Sequence, residues 1–243
     1  MVTETKIDLW FWHLDATVGD IARWRKHLAS DELERMSRFM FSKDQERYTI
    51  CKSRVRRILG WYLGISPRDV MFATTGRDKP VLADRAAGIA FNLTHTDRLA
   101  CLAVTRGEAV GVDLERVREV KDDFIAYALN PDEHARVLSL DPDARRHAFF
   151  RYWTAKEAYL KATGTGLWQL LKTFDVEVPV ISTLGELTRG ALPRVDDPSE
   201  RDRNWHLYTF QATPAHIGAL ALAPPTNAEI RICSRWISSQ AWV

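Results

Sequence analysis

Trp153-Thr-Ala-Lys-Glu-Ala-Tyr-Leu-Lys-Ala-Thr-Gly-Thr-Gly-Leu167 is the most informative stretch of this chain. We predict that it ends a helix running from Pro142 to Thr163, because Gly164 can terminate a helix in the left-handed conformation. On that helix Glu157 and Lys161 are four residues apart and lie on one face. As a pair alone they are equally well explained by a surface ion pair, which stabilises a helix by roughly 0.3 kcal/mol.

A second informative segment, Gly111-Val-Asp-Leu-Glu115, precedes this helix in the chain. Residues two apart on a strand point to the same side, so Asp113 and Glu115 share one face while Val112 and Leu114 enter the core. Two carboxylates this close repel each other unless a cation bridges them, and oxygen ligands together with substrate phosphates suit magnesium. Taken alone, the motif is more often an exposed edge strand with two unrelated acidic side chains.

Hydrophobic periodicity predicts an α+β fold. The predicted helices cover Asp20 to Leu28, Lys43 to Leu63 with Ser42 as N-cap, Pro131 to Leu140 and Pro142 to Thr163. The predicted strands are Ile7 to His13, Val70 to Ala73, Ile89 to Leu93, Leu99 to Val104, Ala109 to Leu114, Phe174 to Val178, Trp205 to Phe210 and Ile217 to Leu222. A weak internal similarity between the regions that start at His95 and His216 predicts two α+β halves, residues 1–107 and 108–243, related by pseudo-twofold symmetry.

The composition is that of an ordinary soluble globular protein, with 46% apolar and 27% charged residues. A net charge of only +2 argues against nucleic acid as the main partner. Cys51, Cys101 and Cys233 lack a metal or redox spacing and are predicted to be thiols in a reducing compartment. The N-terminus is charged where a signal peptide would be apolar, and no run approaches the ~20 apolar residues of a membrane span. We therefore expect a cytoplasmic protein without a membrane or nucleic-acid partner.

Read together, the two segments are far more specific than either is alone. G-x-D-x-E followed by W-x-x-K-E-A-x-x-K-x-x-G-x-G-L resembles the signature pair of the 4′-phosphopantetheinyl transferase superfamily. Gly76-Arg-Asp-Lys-Pro80 and Phe91-Asn-Leu-Thr-His95 are similar to the G-x-x-K-P and F-N-x-S-H elements of its Sfp-type branch, in which one chain supplies both halves. The resemblance covers most of the chain and implies the two-half α+β fold of that family. It also implies transfer of the 4′-phosphopantetheine moiety of coenzyme A to a serine of an apo acyl, peptidyl or aryl carrier protein, with release of 3′,5′-ADP.

The resemblance further implies roles for individual residues. The nucleotide and its phosphates would be bound by Arg47, Lys79, Pro80, Thr94, His95 and Lys161. Magnesium, with manganese as a possible substitute, would be held by Asp113, Glu115 and Glu157. Lys161 would stabilise the departing oxygen. Glu133 matches a family glutamate proposed to help deprotonate the attacking serine, and Glu157 or a metal-bound water are the alternatives for that base.

Carrier proteins of this family's reactions are acidic, so a basic and apolar segment gains a purpose from the resemblance. That segment comprises Arg116, Arg118, Lys121, Phe124, Ile125 and Tyr127. We expect the carrier to dock there, in the C-terminal half, on a monomeric enzyme. Without the family context, a solvated amphipathic segment is at least as good an explanation.

Two positions depart from the family pattern. Thr94 replaces the commoner serine, which keeps the hydroxyl but adds a methyl group. Glu32 stands where members often carry a basic residue, leaving Arg35 as the nearest match.

Two other functions are alternatives to the transferase. A non-catalytic module that binds coenzyme A or a carrier would keep the phosphate contacts but lose a metal carboxylate, and none is missing from the sequence. A nucleic-acid-binding protein would use the basic run Lys52-Ser-Arg-Val-Arg-Arg57, yet those charges point around the helix and no nucleic-acid motif accompanies them.

Overall fold

A computed structural model of the chain describes residues 4–15, 18–75, 79–107, 109–165, 171–181, 183–196, 200 and 203–238. Five residues of the sequence motifs lie outside the described residues: Gly76, Arg77, Asp78, Gly166 and Leu167.

The fold is α+β, as the sequence predicts. The helices are α1 (Val18–Arg25), α2 (Ser30–Ser37), α3 (Ser42–Leu63), α4 (Asp122–Ala128), α5 (Pro131–Leu138) and α6 (Pro142–Thr163). The strands are β1 (Glu4–His13), β2 (Phe72–Thr74), β3 (Pro80–Leu82), β4 (Ile89–Thr96), β5 (Leu99–Arg106), β6 (Val110–Arg116), β7 (Phe174–Glu177), β8 (Leu187–Val195), β9 (His206–Thr213), β10 (His216–Leu222) and β11 (Glu229–Ile237). None of the described helices is long and apolar enough to cross a membrane.

Two sheets carry the architecture, and β2 and β3 form a separate hairpin. The first sheet has the order β11-β1-β5-β4, in which β11 runs parallel to β1 and the other pairs are antiparallel. The second sheet has the order β6-β10-β9-β8-β7 and is antiparallel throughout. The second sheet therefore begins at β6, close to the predicted division at residue 108, but β11 from the C-terminal part of the chain joins the first sheet.

The strand alternation of β1 shows how the layers are packed. Trp10 and Trp12 pack with α3 on one face of the first sheet. Ile7 and Leu9 point the other way, into a cluster shared with β6, β9 and β10 of the second sheet. The opposite face of the second sheet packs against α6. The layers thus run from α3 through the two sheets to α6.

The helix ends largely follow the sequence signals. Gly64 and Gly164 terminate α3 and α6 with positive φ values of 68° and 71°, as predicted. The prediction that Ser42 is the N-cap of α3 is wrong: Ser42 is the first helical residue, and Phe41 is the extended N-cap without a side-chain hydrogen bond. The end of α6 places Lys161 in the last turn of the helix.

Gly111 allows β6 and α6 to approach closely. A Cβ atom at this position would lie 2.0 Å from the Ala158 carbonyl oxygen and 2.4 Å from the Ala162 nitrogen. Both are helix backbone atoms that cannot rotate away. The glycine of the G-x-D-x-E segment therefore sets the distance between the strand and the helix that carry the predicted site.

Replacing Gly111 with alanine is expected to lower the free energy of unfolding by about 3 kcal/mol, because the added methyl group forces β6 and α6 apart. Chemical denaturation measures this change. Gly185→Ala is the control. A Cβ atom added there would have no atom within 4 Å, so its cost would come only from placing alanine at a positive φ. Equal losses in the two variants would contradict the close-approach argument.

Candidate active site

Three of the predicted site residues, Thr94, Asp113 and Lys161, meet at the seam where the edge of the first sheet, β4, lies beside the edge of the second sheet, β6. The Lys161 ammonium group is 2.6 Å from Asp113 Oδ1 and also donates to Thr94 Oγ1 at 3.2 Å. The Thr94 hydroxyl donates to the same Asp113 oxygen at 3.1 Å. The Thr94 hydroxyl is thus engaged with Asp113 and Lys161.

Lys161 pairs with Asp113 instead of Glu157. No ion pair between Glu157 and Lys161 occurs in the part of the chain that the structure describes, although the two residues are helix neighbours. Glu157 Oε1 and Asp113 Oδ2 are both buried without a hydrogen-bond partner. This arrangement disfavours the simple surface ion pair and leaves two buried carboxylate oxygens without a hydrogen-bond donor.

Burial is the main cause that raises the pKa of Glu157 from 4.5 to about 7. The neighbouring charges of Asp113 and Glu115 act in the same direction, whereas that of Lys161 opposes them. Three carboxylates thus affect one another electrostatically at this seam. Their mutual repulsion is the physical cost that a bound cation would relieve.

This pKa predicts how stability depends on pH. The pKa of Glu157 is higher in the folded state than in the unfolded state, so folding takes up a proton between pH 4.5 and about 7. Protonated Glu157 therefore contributes to stability at acidic pH, and this contribution is lost as the pH rises through about 7. Glu157→Gln lacks this titration, so we expect it to gain on the order of 3 kcal/mol relative to the wild type across that range. Urea unfolding with a chelator present measures the difference. A pH-independent difference would contradict it.

Glu115 completes the predicted metal set at the solvent side of the seam. Its Oε2 accepts a hydrogen bond from Arg118 Nη1 at 3.2 Å. Among the described residues, no group of three or more histidine, cysteine, aspartate or glutamate side chains is placed to hold a metal ion as the side chains stand. The donor chemistry nevertheless fits a hard cation, because Asp113 and Glu157 each offer a buried oxygen without a hydrogen-bond partner.

Arg47 and His95 lie on the N-terminal side of the site. Among the described residues, Arg47 makes long ion pairs, with Nη2 at 3.8 Å from Asp97 and 3.9 Å from Asp15, and its Nε and Nη2 have no hydrogen-bond partner there. The pKa of His95 is lowered by partial desolvation and then by the charges of Lys161 and Lys52. The sequence alone did not predict Lys52 at this site. Lys52 lies four residues after Tyr48, and its ammonium group is 5.9 Å from the centre of the Tyr48 ring. That spacing was the sequence signal that could have indicated the position of Lys52.

Lys79 links the hairpin of the first half to the second half. Its ammonium group donates to the carbonyl oxygens of Val110 at 3.2 Å and Ala162 at 3.0 Å. Burial, and then the charge of Arg203, lower its pKa from 10.5 to about 8. Lys79 also lines a cavity of about 680 Å³ whose other cationic lining residues are Arg85 and Arg203. The three carboxylates are not among the described residues that line it, so this cavity adjoins the seam through Lys79 and the end of α6 and does not contain it.

A second groove, of about 410 Å³, opens beside Glu115. Its described lining residues are Glu115, Arg118, Glu119, Val120, Lys121, Phe124, Phe149, Phe150 and Trp153. Two residues of the predicted docking segment differ in their exposure to solvent. Ile125 is a core residue that is 2% exposed, whereas Tyr127 is exposed. The aromatic residues of α6 at positions 149 and 150 were missed, because helical periodicity alone does not distinguish core from groove.

Glu133 lies in a buried structural ion pair. It is 1% exposed, its Oε2 lies 3.0 Å from the ammonium group of fully buried Lys156, and its Oε1 accepts the Val176 amide at 3.1 Å. Glu133 Oε2 also accepts the Asn130 amide in a capping box at the start of α5. A carboxylate with both oxygens engaged and no solvent access is poorly placed to accept a proton from a docked serine, so the geometry favours a structural role over the predicted base.

Sequence comparisons agree with the geometry. The family described as the 4′-phosphopantetheinyl transferase superfamily matches residues 109–216, and 4′-phosphopantetheinyl transferase, N-terminal, matches residues 15–107. The 4′-phosphopantetheinyl transferase HetI of Nostoc sp. is 40% identical over 73% of this chain and 76% of its own length. The chain belongs to the 4′-phosphopantetheinyl transferase superfamily. The 4′-phosphopantetheinyl transferase Sfp of Bacillus subtilis is 24% identical over 64% of this chain and 69% of its own length. The L-aminoadipate-semialdehyde dehydrogenase-phosphopantetheinyl transferase of Xenopus laevis is 26% identical over 79% of this chain and 67% of its own length.

The structure accounts for one departure of this phosphopantetheinyl transferase from its family pattern. Glu32 is buried, and its Oε2 accepts from Arg56 Nε at 2.5 Å and from the Ala29 amide at 3.2 Å. Arg56 also donates to the Val70 carbonyl oxygen at 2.8 Å. Glu32 is therefore committed to holding α2 against α3, which explains an acidic residue at this position.

Glu133→Gln in this transferase should keep the wild-type pH dependence of kcat while lowering the free energy of unfolding by about 3 kcal/mol, because it leaves the Lys156 charge buried and uncompensated. Steady-state rates across pH and denaturant unfolding measure the two effects. Glu119→Gln removes an exposed ion pair with Arg146 and should change stability by less than about 1 kcal/mol. Loss of the acidic limb of the pH profile in Glu133→Gln would restore Glu133 as the base.

Proposed function

We propose that this protein transfers the 4′-phosphopantetheine moiety of coenzyme A to a serine of an apo carrier protein and releases 3′,5′-ADP. The observation that carries the proposal is the seam between β4 and β6, where a lysine and three carboxylates meet and two carboxylate oxygens are buried without a partner. Membership of the transferase superfamily supports the same reaction.

We propose that Asp113, Glu115 and Glu157 hold magnesium. When bound, the cation would neutralise charge on the pyrophosphate and polarise it toward attack. The pairing of Lys161 with Asp113 places a second positive charge beside the proposed metal ligands, where it can also neutralise an anionic substrate.

In the proposed reaction, the serine hydroxyl oxygen of the carrier attacks the β-phosphorus of coenzyme A. A new phosphorus–oxygen bond to the serine forms, and the bond from that phosphorus to the bridging oxygen of 3′,5′-ADP breaks. Lys161 stabilises the negative charge that develops on the departing oxygen. The serine proton passes to Glu157, the remaining carboxylate candidate once Glu133 is assigned to its buried pair.

We propose that Arg47, Thr94 and His95 bind phosphate groups of coenzyme A and that Lys79 and Pro80 contact its nucleotide. Arg47 supports this assignment because two of its guanidinium nitrogens lack hydrogen-bond partners. Lys52 adds positive charge on the same side of the site, as its effect on the pKa of His95 indicates.

The carrier is proposed to dock over the groove beside Glu115. Val120 and Phe124, which are partly exposed and pack on the buried Phe149, Phe150 and Trp153, provide an apolar floor. Arg118 and Lys121 provide a basic rim for an acidic partner. Glu115 lines the groove and is also one of the proposed metal ligands. A serine presented from the groove would therefore enter beside the carboxylates.

We further propose that residues 1–107 chiefly supply nucleotide contacts and residues 108–243 supply the metal site and the carrier groove, in a monomeric enzyme of the cytoplasm. The free cysteines, two of them buried, are consistent with a reducing compartment.

Mass spectrometry of apo carriers incubated with the protein, coenzyme A and magnesium tests the function. We expect a carrier to gain one phosphopantetheinyl group, in equal amount to the 3′,5′-ADP formed, and the gain to vanish in excess chelator. A panel of fatty-acid, polyketide and peptide-synthase carriers defines the substrate range. Binding of coenzyme A without modification of any carrier would favour a non-catalytic binding module.

A further inference from the structure

The edges of the two sheets meet at the site without a backbone hydrogen-bond ladder. β4 is the last strand of the first sheet and β6 the first strand of the second sheet, and the two pack side by side. Edge strands carry unpaired backbone amides and carbonyls that need partners when they are buried. Side chains supply such partners here.

Three polar side chains of β4 bridge this seam. Asn92, Thr94 and Thr96 are two residues apart in sequence and therefore lie on one face of the strand. Asn92 Oδ1 accepts the Val112 amide at 2.9 Å, and the Thr96 hydroxyl donates to Glu115 Oε2 at 3.2 Å. Thr94 makes the central contact with Asp113, so successive β4 side chains meet successive positions of β6.

The Asn92 contact fixes where β6 sits along β4. Asn92 is buried and its partner, the Val112 amide, belongs to the residue directly before Asp113. A shift of β6 by one residue would break this bond and turn Asp113 away from Thr94, because strand side chains alternate between faces. Asn92 thereby holds Asp113 in position without touching the site itself.

The Thr96 contact orients the outer carboxylate. Glu115 Oε2 receives hydrogen bonds from Thr96 and Arg118, which leaves its other oxygen for a ligand. Hydrogen bonds to a ligating carboxylate restrict its rotation and tune its affinity for the metal.

We propose that Asn92 and Thr96 are positioning residues that hold Asp113 and Glu115 in the geometry that binds the divalent cation. The inference rests on the proposed function in taking these carboxylates as metal ligands. It adds that metal affinity is set by the polar face of β4, a strand of the opposite sheet.

Calorimetric titration of the full-length protein with Mn²⁺, in the presence of coenzyme A and without carrier, tests this directly. Thr96→Val removes only the hydroxyl function and should weaken Mn²⁺ binding about tenfold, whereas Thr96→Ser should bind within about twofold of the wild type. Thr105→Val is the matched control, because the Thr105 hydroxyl donates to the Lys6 carbonyl oxygen within the first sheet. We expect no change in Mn²⁺ affinity for that control.

Asn92 is tested by a variant of similar size. Asn92→Leu removes the acceptor for the Val112 amide without adding charge, so it should bind Mn²⁺ more weakly than the wild type. If Asn92→Leu fails to fold, Thr96→Val still decides the inference.

Wild-type affinity in Thr96→Val, or equal weakening in Thr105→Val, would overturn the proposal. Absence of Mn²⁺ binding by the wild type would overturn it as well. Normal Mn²⁺ binding that is lost in Thr96→Val, together with no modification of any carrier, would sustain the positioning role and reject the proposed transferase activity.

Discussion

Replacing Asp113 with alanine is expected to lower kcat at least about a thousandfold while leaving the protein folded. Asp113 is 5% exposed and contacts Lys161 and Thr94, so its loss removes a predicted metal ligand and also frees the lysine from its position. Lys161 is partly exposed and can regain hydration, which limits the cost to stability.

Rates of carrier modification, circular dichroism and thermal unfolding measure these effects together. Asp113→Asn preserves the shape of the side chain and should lose nearly as much activity. Asp143→Ala, which removes an exposed carboxylate paired with Arg146, should retain the wild-type rate. A rate within about tenfold of the wild type in folded Asp113→Ala would remove this residue from the metal set.

Replacing Lys161 with methionine is expected to lower kcat about a hundredfold, or about 2.7 kcal/mol of transition-state stabilisation. The apolar chain of methionine fills a similar space but cannot neutralise the departing oxygen. The effect should fall on kcat more than on the KM for the carrier, because the charge that Lys161 meets develops during the reaction.

Lys6→Met provides the matched control for this prediction. Lys6 also contacts a buried aspartate, with its ammonium group 3.5 Å from Asp8 Oδ2, but it lies in β1 of the first sheet. Its replacement should leave turnover unchanged. Similar rate losses in both variants would mean that Lys161 acts through general stability or net charge.

Local structure near the site could be predicted from sequence because each signal acts over a few residues. The alternation in β6 correctly places Val112 and Leu114 in the core at 0% and 1% exposure. Gly64 and Gly164 end their helices as predicted, since a left-handed residue is needed at each position. The short helices α2 and α4 were missed, although α1 and α5 are similarly short and were predicted.

Long-range contacts could not be predicted. The parallel pairing of β11 with β1 joins opposite ends of the chain, and no local pattern specifies it. No local pattern specifies that Lys161 pairs with Asp113 instead of its helix neighbour Glu157. Nor does one specify the ion pair between Glu133 and Lys156. In each case the partner is fixed by the packing of sheets and helices, and residue type alone gives only the possible chemistry.

The exchange of two charges tests the central claim most directly. The double variant Glu157→Lys with Lys161→Glu keeps the net charge and the potential for a helix ion pair, but it removes a predicted metal ligand and reverses the charge beside Asp113. The measurement is the intact mass of an apo carrier after incubation with coenzyme A, magnesium and either the wild type or the folded double variant. The seam predicts that the wild type adds one phosphopantetheinyl group and that the double variant adds none in the same time. Modification of the carrier by the exchanged protein at close to the wild-type rate would contradict the assignment of this seam as the active site.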